Sequence, residues 1–170
     1  MTDEATTVLI VDDHPLVRQG LLAVLGSADG VTVVGEAGDG NAAINLVTQL
    51  EPDVVLMDLQ MPGMHGIEAT RAILATRPET AILVVTMFED EDMVFSAVAA
   101  GAMGYLLKGA DGADIVAAVR SAGAGQAVFG AALAGRLRSW FASPPRRAAD
   151  AFPQLTDRER SILDGVAAGL

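Results

Sequence analysis

Five short runs of branched apolar residues, each followed by a longer amphipathic run, constrain this chain more than any other feature. Residues 7–11, 31–34, 54–57, 81–85 and 103–107 read as strands. Residues 15–25, 40–50, 66–76, 90–100 and 111–123 read as the helices between and after them. Runs one, three and four are continuously apolar, the pattern of strands covered on both faces. Five such units in series predict an α/β fold, a doubly wound parallel sheet joined by right-handed crossovers.

The rest of the composition fits one core plus a short appendage. A chain of 170 residues, 51% of them hydrophobic, can bury one sizeable core but not two of ordinary size. Its apolar runs are broken by Gly, Asp or Glu well below the ~18 residues of a membrane span. The acidic start Met1-Thr2-Asp3-Glu4 is unlike a secretory leader. The absence of Cys excludes disulfides and thiolate metal sites and fits a cytoplasmic protein. Net charge is −11, with 18 acidic residues against five basic ones in residues 1–125 and four against six in residues 126–170. An acidic body repels nucleic acid, so any DNA contact is expected through the C-terminal part.

In an open parallel sheet, ligands bind beyond the carboxyl ends of the strands. Strand one ends in Asp12-Asp13, strand three in Asp58, strand four in Thr86 and strand five in Lys108. Three crowded carboxylates repel one another unless a cation joins them. A hard divalent ion such as Mg²⁺, bound through carboxylates, water and phosphate oxygen, meets that need. Lys108 and Thr86 are then suited to a phosphate, and Asp58 to in-line attack on phosphorus.

Four segments carry a family resemblance. Val-Asp-Asp-His-Pro-Leu-Val-Arg (11–18), Met-Asp-Leu-Gln-Met-Pro-Gly-Met-His-Gly (57–66), Val-Thr-Met-Phe (85–88) and Gly-Tyr-Leu-Leu-Lys (104–108) closely resemble the response-regulator receiver domain, in the wording of its NarL/FixJ branch. Residues 155–170 resemble the opening of that branch's helix-turn-helix domain. The resemblance implies a flavodoxin-like fold with strand order 2-1-3-4-5 and phosphorylation of Asp58 by a sensor histidine kinase. It implies Mg²⁺ or Mn²⁺ held by Asp12, Asp13, Asp58 and the backbone carbonyl of Gln60. It also implies a switch in which Thr86 and Tyr105 move together, controlling homodimerisation. The expected organisation is a receiver over 1–125, a linker with a helical start over 126–153, and the beginning of the helix-turn-helix domain over 154–170. DNA would be read by the part of that domain beyond Leu170, leaving no DNA-binding residue within 1–170, and the setting would be the bacterial cytoplasm.

Other residues have plainer readings. His14 precedes Pro15 at a helix start, which suits a positioning or surface role better than a catalytic one, and His65 reads as surface. Glu89-Asp90-Glu91-Asp92 places acids at a helix N-terminus, where the dipole favours them. Arg136, Arg138, Arg146 and Arg147 suit a solvated linker. Many receivers place a cis-bonded proline after the lysine; here Gly109 follows, leaving that turn's geometry open. Met87 is bulkier than the residue common there in chemotaxis-type receivers and is expected to narrow access to the site. The rival reading is a Mg²⁺-dependent aspartyl-phosphate phosphatase. It needs a second acid two residues after the nucleophile, where this chain has Gln60. A flavin-binding electron carrier would need a phosphate-cradling loop after strand one, which the sequence lacks.

Overall fold

The computed structural model describes residues 4–87, 91–129 and 138. It contains β1 (Thr6–Val11), α1 (Pro15–Gly26), β2 (Val31–Ala37), α2 (Gly40–Leu50), β3 (Val54–Met57), α3 (Gly66–Thr76), β4 (Ala81–Thr86), α4 (Glu91–Ala100), β5 (Gly104–Leu107) and α5 (Gly112–Gly123). All strand pairs are parallel, in the order β2-β1-β3-β4-β5. The expected architecture is the observed one.

Successive side chains along a strand point to opposite faces, and the core divides accordingly. Val8 and Ile10 of β1, with Leu56 of β3 and Leu83 of β4, pack against Leu21 and Leu25 of α1 and Ile115 and Val119 of α5. Leu9 and Val11, with Val55, Met57 and Ile82, face Ala43 and Val47 of α2 and Ala69 and Ile73 of α3. β3 and β4 are buried at every position, as their unbroken apolar sequences require.

Local chemistry sets the helix starts. Pro15 occupies the first turn of α1 and leaves His14 extended before it. Asp39 caps α2, its side chain accepting from the Ala42 amide at 2.8 Å.

Two segments depart from the expected pattern. β2 continues through Gly35-Glu36-Ala37, because a register slip between Val8 and Leu9 lets pairing with β1 resume after the irregularity. The anticipated helix from residue 126 does not begin there. Gly125 takes a positive φ of 84°, and the chain then runs extended beside β5, forming a parallel bridge between Gly104 and Val128. The Val128 amide donates to the Met103 carbonyl at 2.7 Å, and the Tyr105 amide donates to the Val128 carbonyl at 3.1 Å. An open sheet edge with unpaired amides outcompetes the weak helical tendency of Gln126-Ala127-Val128. The remainder of the expected linker helix, the 143–147 segment and the helix from Thr156 lie outside the described residues, apart from Arg138, as do Glu89 and Asp90.

Candidate functional site

The sheet reverses direction of winding between β1 and β3, and their carboxyl ends lie side by side. The Asp58 amide donates to the Val11 carbonyl at 2.9 Å, so the residue after β3 is stitched to the last residue of β1. That stitch brings Asp58 to the acidic pair. Asp12, Asp13, His14 and Asp58 each offer a ligand atom within 4.8 Å of the other three.

Lys108 enters from the end of β5. Its amide donates to the Thr86 carbonyl at 2.8 Å, which fixes the turn after the strand. Its ammonium, 7% exposed, stands 2.8 Å from Asp12 Oδ2 and 3.3 Å from Asp58 Oδ2. Burial alone would lower its pKa; the Asp12 hydrogen bond and the charges of Asp58 and Asp12 outweigh that and raise it above the usual lysine value. Among the described residues no peptide is cis, so Lys108–Gly109 is trans and Gly109 needs no unusual linkage.

Asp58 is the strained member of the group. It is buried, and burial followed by the Asp12 charge pushes its carboxyl from the ordinary 3.8 to about 6, against the opposing pull of Lys108 and the Gln60 amide. That amide donates to Asp58 Oδ1 at 3.2 Å. Asp58 Oδ2 and Asp13 Oδ1 are buried, and their polar contacts are the ion pairs with Lys108 at 3.3 Å and His14 Nδ1 at 2.9 Å. Three carboxylates against one ammonium leave two negative charges within a few ångströms of one another. A divalent cation fits that donor set.

Thr86 is buried at the end of β4. Tyr105 lies inward, packed with Leu59, Val84 and the α4 residues Val94, Phe95 and Ala97. Met87 is exposed beside them in sequence, at 67%. His65 ends the loop before α3 and offers it no side-chain cap.

A scan against family models matches residues 8–120 to the response regulator receiver domain. The chain belongs to that family. This receiver is 41% identical over 162 residues to the transcriptional regulatory protein LiaR of Bacillus subtilis, covering 95% of this chain and 76% of LiaR. It is 39% identical over 171 residues to the nitrate/nitrite response regulator NarL of Escherichia coli, covering 98% of this chain and 77% of that protein. Among solved structures, a LuxR-family two-component response regulator from Aurantimonas superposes with a TM-score of 0.76 at 35% identity, over 82% of this receiver and all of that chain. These relatives are signalling proteins of the NarL/LuxR type, and they do not favour the phosphatase reading.

His14, expected in a positioning or surface role, is 61% exposed, and its Nδ1 lies 3.1 Å from Asp12 Oδ1 and 2.9 Å from Asp13 Oδ1. Two further contributors to the receiver's site carry no signal of their own in the sequence. Arg18, one helical turn further on, donates from Nη1 to the Asp12 carbonyl at 2.5 Å and pairs through Nε with Glu36 at 3.4 Å. Gly66 lets α3 close onto the Asp58 loop: a Cβ there would lie 2.1 Å from the Asp58 carbonyl oxygen.

Proposed function

We propose that this receiver is the phosphoacceptor switch of a two-component response regulator that controls transcription. The observation that carries the reading is a buried carboxylate of raised pKa, Asp58, held beside two further carboxylates and a buried ammonium at the sheet's switch point. Ionised Asp58 attacks phosphorus in line. The P–N bond of a phosphohistidine on a sensor histidine kinase breaks, an O–P bond to Asp58 forms, and the leaving imidazole recovers a proton. Asp12, Asp13 and Asp58, with the Gln60 carbonyl, would hold Mg²⁺ or Mn²⁺, which supplies charge neutralisation between the carboxylates and the phosphoryl group. Lys108 exchanges part of its pairing with Asp12 and Asp58 for a phosphoryl oxygen, and Thr86 donates its hydroxyl to another. The space Thr86 leaves is taken up by the Tyr105 ring, already buried against α4, and this biases an existing two-state equilibrium of the α4–β5 face toward a homodimer.

In the same reading the receiver spans 1–125, a linker follows over 126–153, and residues 154–170 open a helix-turn-helix domain whose DNA-reading helix is not among them. The receiver acts in the bacterial cytoplasm. Among its described residues no helix is long and apolar enough to cross a membrane.

The test is direct. With MgCl₂ and acetyl phosphate, intact mass is expected to show one added phosphoryl group on the parent chain and none on Asp58→Asn. An undiminished adduct on the variant removes Asp58 from the role, and rapid multiple-turnover phosphate release restores the phosphatase. Met87→Ala is expected to speed the same labelling, since a bulky, exposed thioether directly follows Thr86 in sequence. An unchanged rate shows that Met87 does not restrict entry.

A further inference from the structure

We infer that His14 is a metal ligand, and that it tunes this receiver's cation site toward nitrogen-preferring divalent ions such as Ni²⁺ or Co²⁺ over Mg²⁺. The inference rests on the reading of Asp12, Asp13 and Asp58 as a cation site and extends it to a residue outside that set.

The distances carry the argument. Two donors occupying neighbouring corners around a six-coordinate ion, each at about 2.1 Å, stand roughly 3.0 Å apart. His14 Nδ1 lies 2.9 Å from Asp13 Oδ1 and 3.1 Å from Asp12 Oδ1, which are neighbouring-corner separations. The Asp58 ligand atom lies within 4.8 Å of all three. Asp58 Oδ2, on a side chain 3% exposed, has only the Lys108 ammonium beside it, at 3.3 Å and too far for a well-made hydrogen bond, so the buried carboxylate is incompletely satisfied. That oxygen keeps a lone pair available to an ion.

The imidazole is placed by its backbone. Pro15 holds His14 extended, with φ −95° and ψ 110°, and the His14 amide donates to Asp12 Oδ1 at 2.8 Å. The ring is 61% exposed, so it can exchange between solvent and ion. Placing it among the carboxylates converts an all-oxygen site, suited to Mg²⁺, into a mixed nitrogen–oxygen site. Imidazole gains little on Mg²⁺, which prefers oxygen and water, and much on later first-row ions.

The chain has only two histidines, His14 and His65, so the test is clean. The full chain, without a histidine tag, is titrated calorimetrically with MgCl₂ and with NiCl₂, alongside His14→Asn and His65→Asn. Asn suits the helix-start position and keeps a polar side chain without a ring nitrogen. The His14 variant is expected to weaken Ni²⁺ by about tenfold or more while changing Mg²⁺ by less than about twofold. The His65 variant is expected to leave both unchanged. In the parent chain, Co²⁺ should also selectively shift the His14 imidazole resonances.

Equal weakening of both ions by His14→Asn, or no change in either, overturns the inference while leaving the carboxylate site intact. A parent chain that binds Ni²⁺ but shows the loss in His65→Asn also overturns it. Failure of the parent chain to bind Mg²⁺ or Ni²⁺ at all defeats the underlying cation reading as well, which separates the two failures.

Discussion

Gly66→Ala is expected to destabilise the receiver by about 3 kcal/mol and to slow phosphoryl labelling of Asp58, because the new methyl group has no room. It would sit 2.1 Å from the Asp58 carbonyl oxygen, 2.8 Å from the Leu59 Cα and 2.9 Å from the Asp58 carbonyl carbon. All three are backbone atoms, so no side-chain rotation relieves the overlap. The close approach is held from both sides: the Gly66 amide donates to the Leu59 carbonyl at 3.1 Å, and Thr70 Oγ1 donates to the Gly66 carbonyl at 2.7 Å. Either α3 or the Asp58 loop must retreat, and the loop carries the nucleophile. Gly20→Ala makes the control. Gly20 lies within α1 with nothing within 4 Å of its would-be Cβ, and alanine there should add roughly 0.5–1 kcal/mol. Urea midpoints decide the matter. A Gly66 variant within about 0.5 kcal/mol of the parent would mean that the helix does not press on the loop, since that is the range of an ordinary surface substitution.

Asp58→Asn is expected to stabilise the metal-free receiver by about 3 kcal/mol at pH 8, an amount that shrinks to about half near pH 5. The sign follows from the direction of the shift. Asp58 has a folded pKa of about 6 against 3.8 when unperturbed. Below 3.8 both states are protonated, and the carboxyl carries no penalty. Between 3.8 and about 6 the unfolded state releases its proton first, so stability falls as pH rises. Above about 6 the folded state holds the buried charge, and the full penalty is present. Asparagine keeps the shape without the charge, so its advantage follows the same curve. Denaturation with a chelator present, repeated from pH 5 to pH 8, measures it. Adding MgCl₂ should narrow the gap, since an ion that binds only the folded state stabilises it by mass action. A difference between the two proteins that does not vary with pH would show that Asp58 is not desolvated as its surroundings indicate.

Much of this site can be read from the chain because the residues follow strands. An apolar run that must be buried on both faces fixes where its strand ends, and in a parallel sheet every strand end reaches the same rim. Asp12, Asp13, Asp58, Thr86 and Lys108 inherit their neighbourhood from that rule. What the sequence could not give was contact across a gap in the chain. The role of Gly66 depends on how closely α3 folds back onto a loop eight residues earlier, and nothing in His-Gly-Ile announces a 2.1 Å conflict. Arg18 looks like any helical arginine until its guanidinium reaches the Asp12 carbonyl. His14 has the local look of a residue before proline, and only the convergence of three side chains changes its meaning. Gln126-Ala127-Val128 is too short to carry a period; its strand is induced by the unfilled edge of β5.

That edge bridge alters the mechanics of the segment that follows α5. Gly104 has no side chain, and a Cβ there would come 2.6 Å from the Val128 carbonyl oxygen, so the two backbones nest. The chain therefore runs to Phe129 beside β5, with Val128 paired to Met103 and Tyr105. Any pull on the 126–129 segment is taken up first by the hydrogen bonds at Met103 and Tyr105. Residue 105 and the 126–129 segment thus share one mechanical anchor. Lengthening the turn after Gly123 by one residue would leave every helix intact yet disengage them.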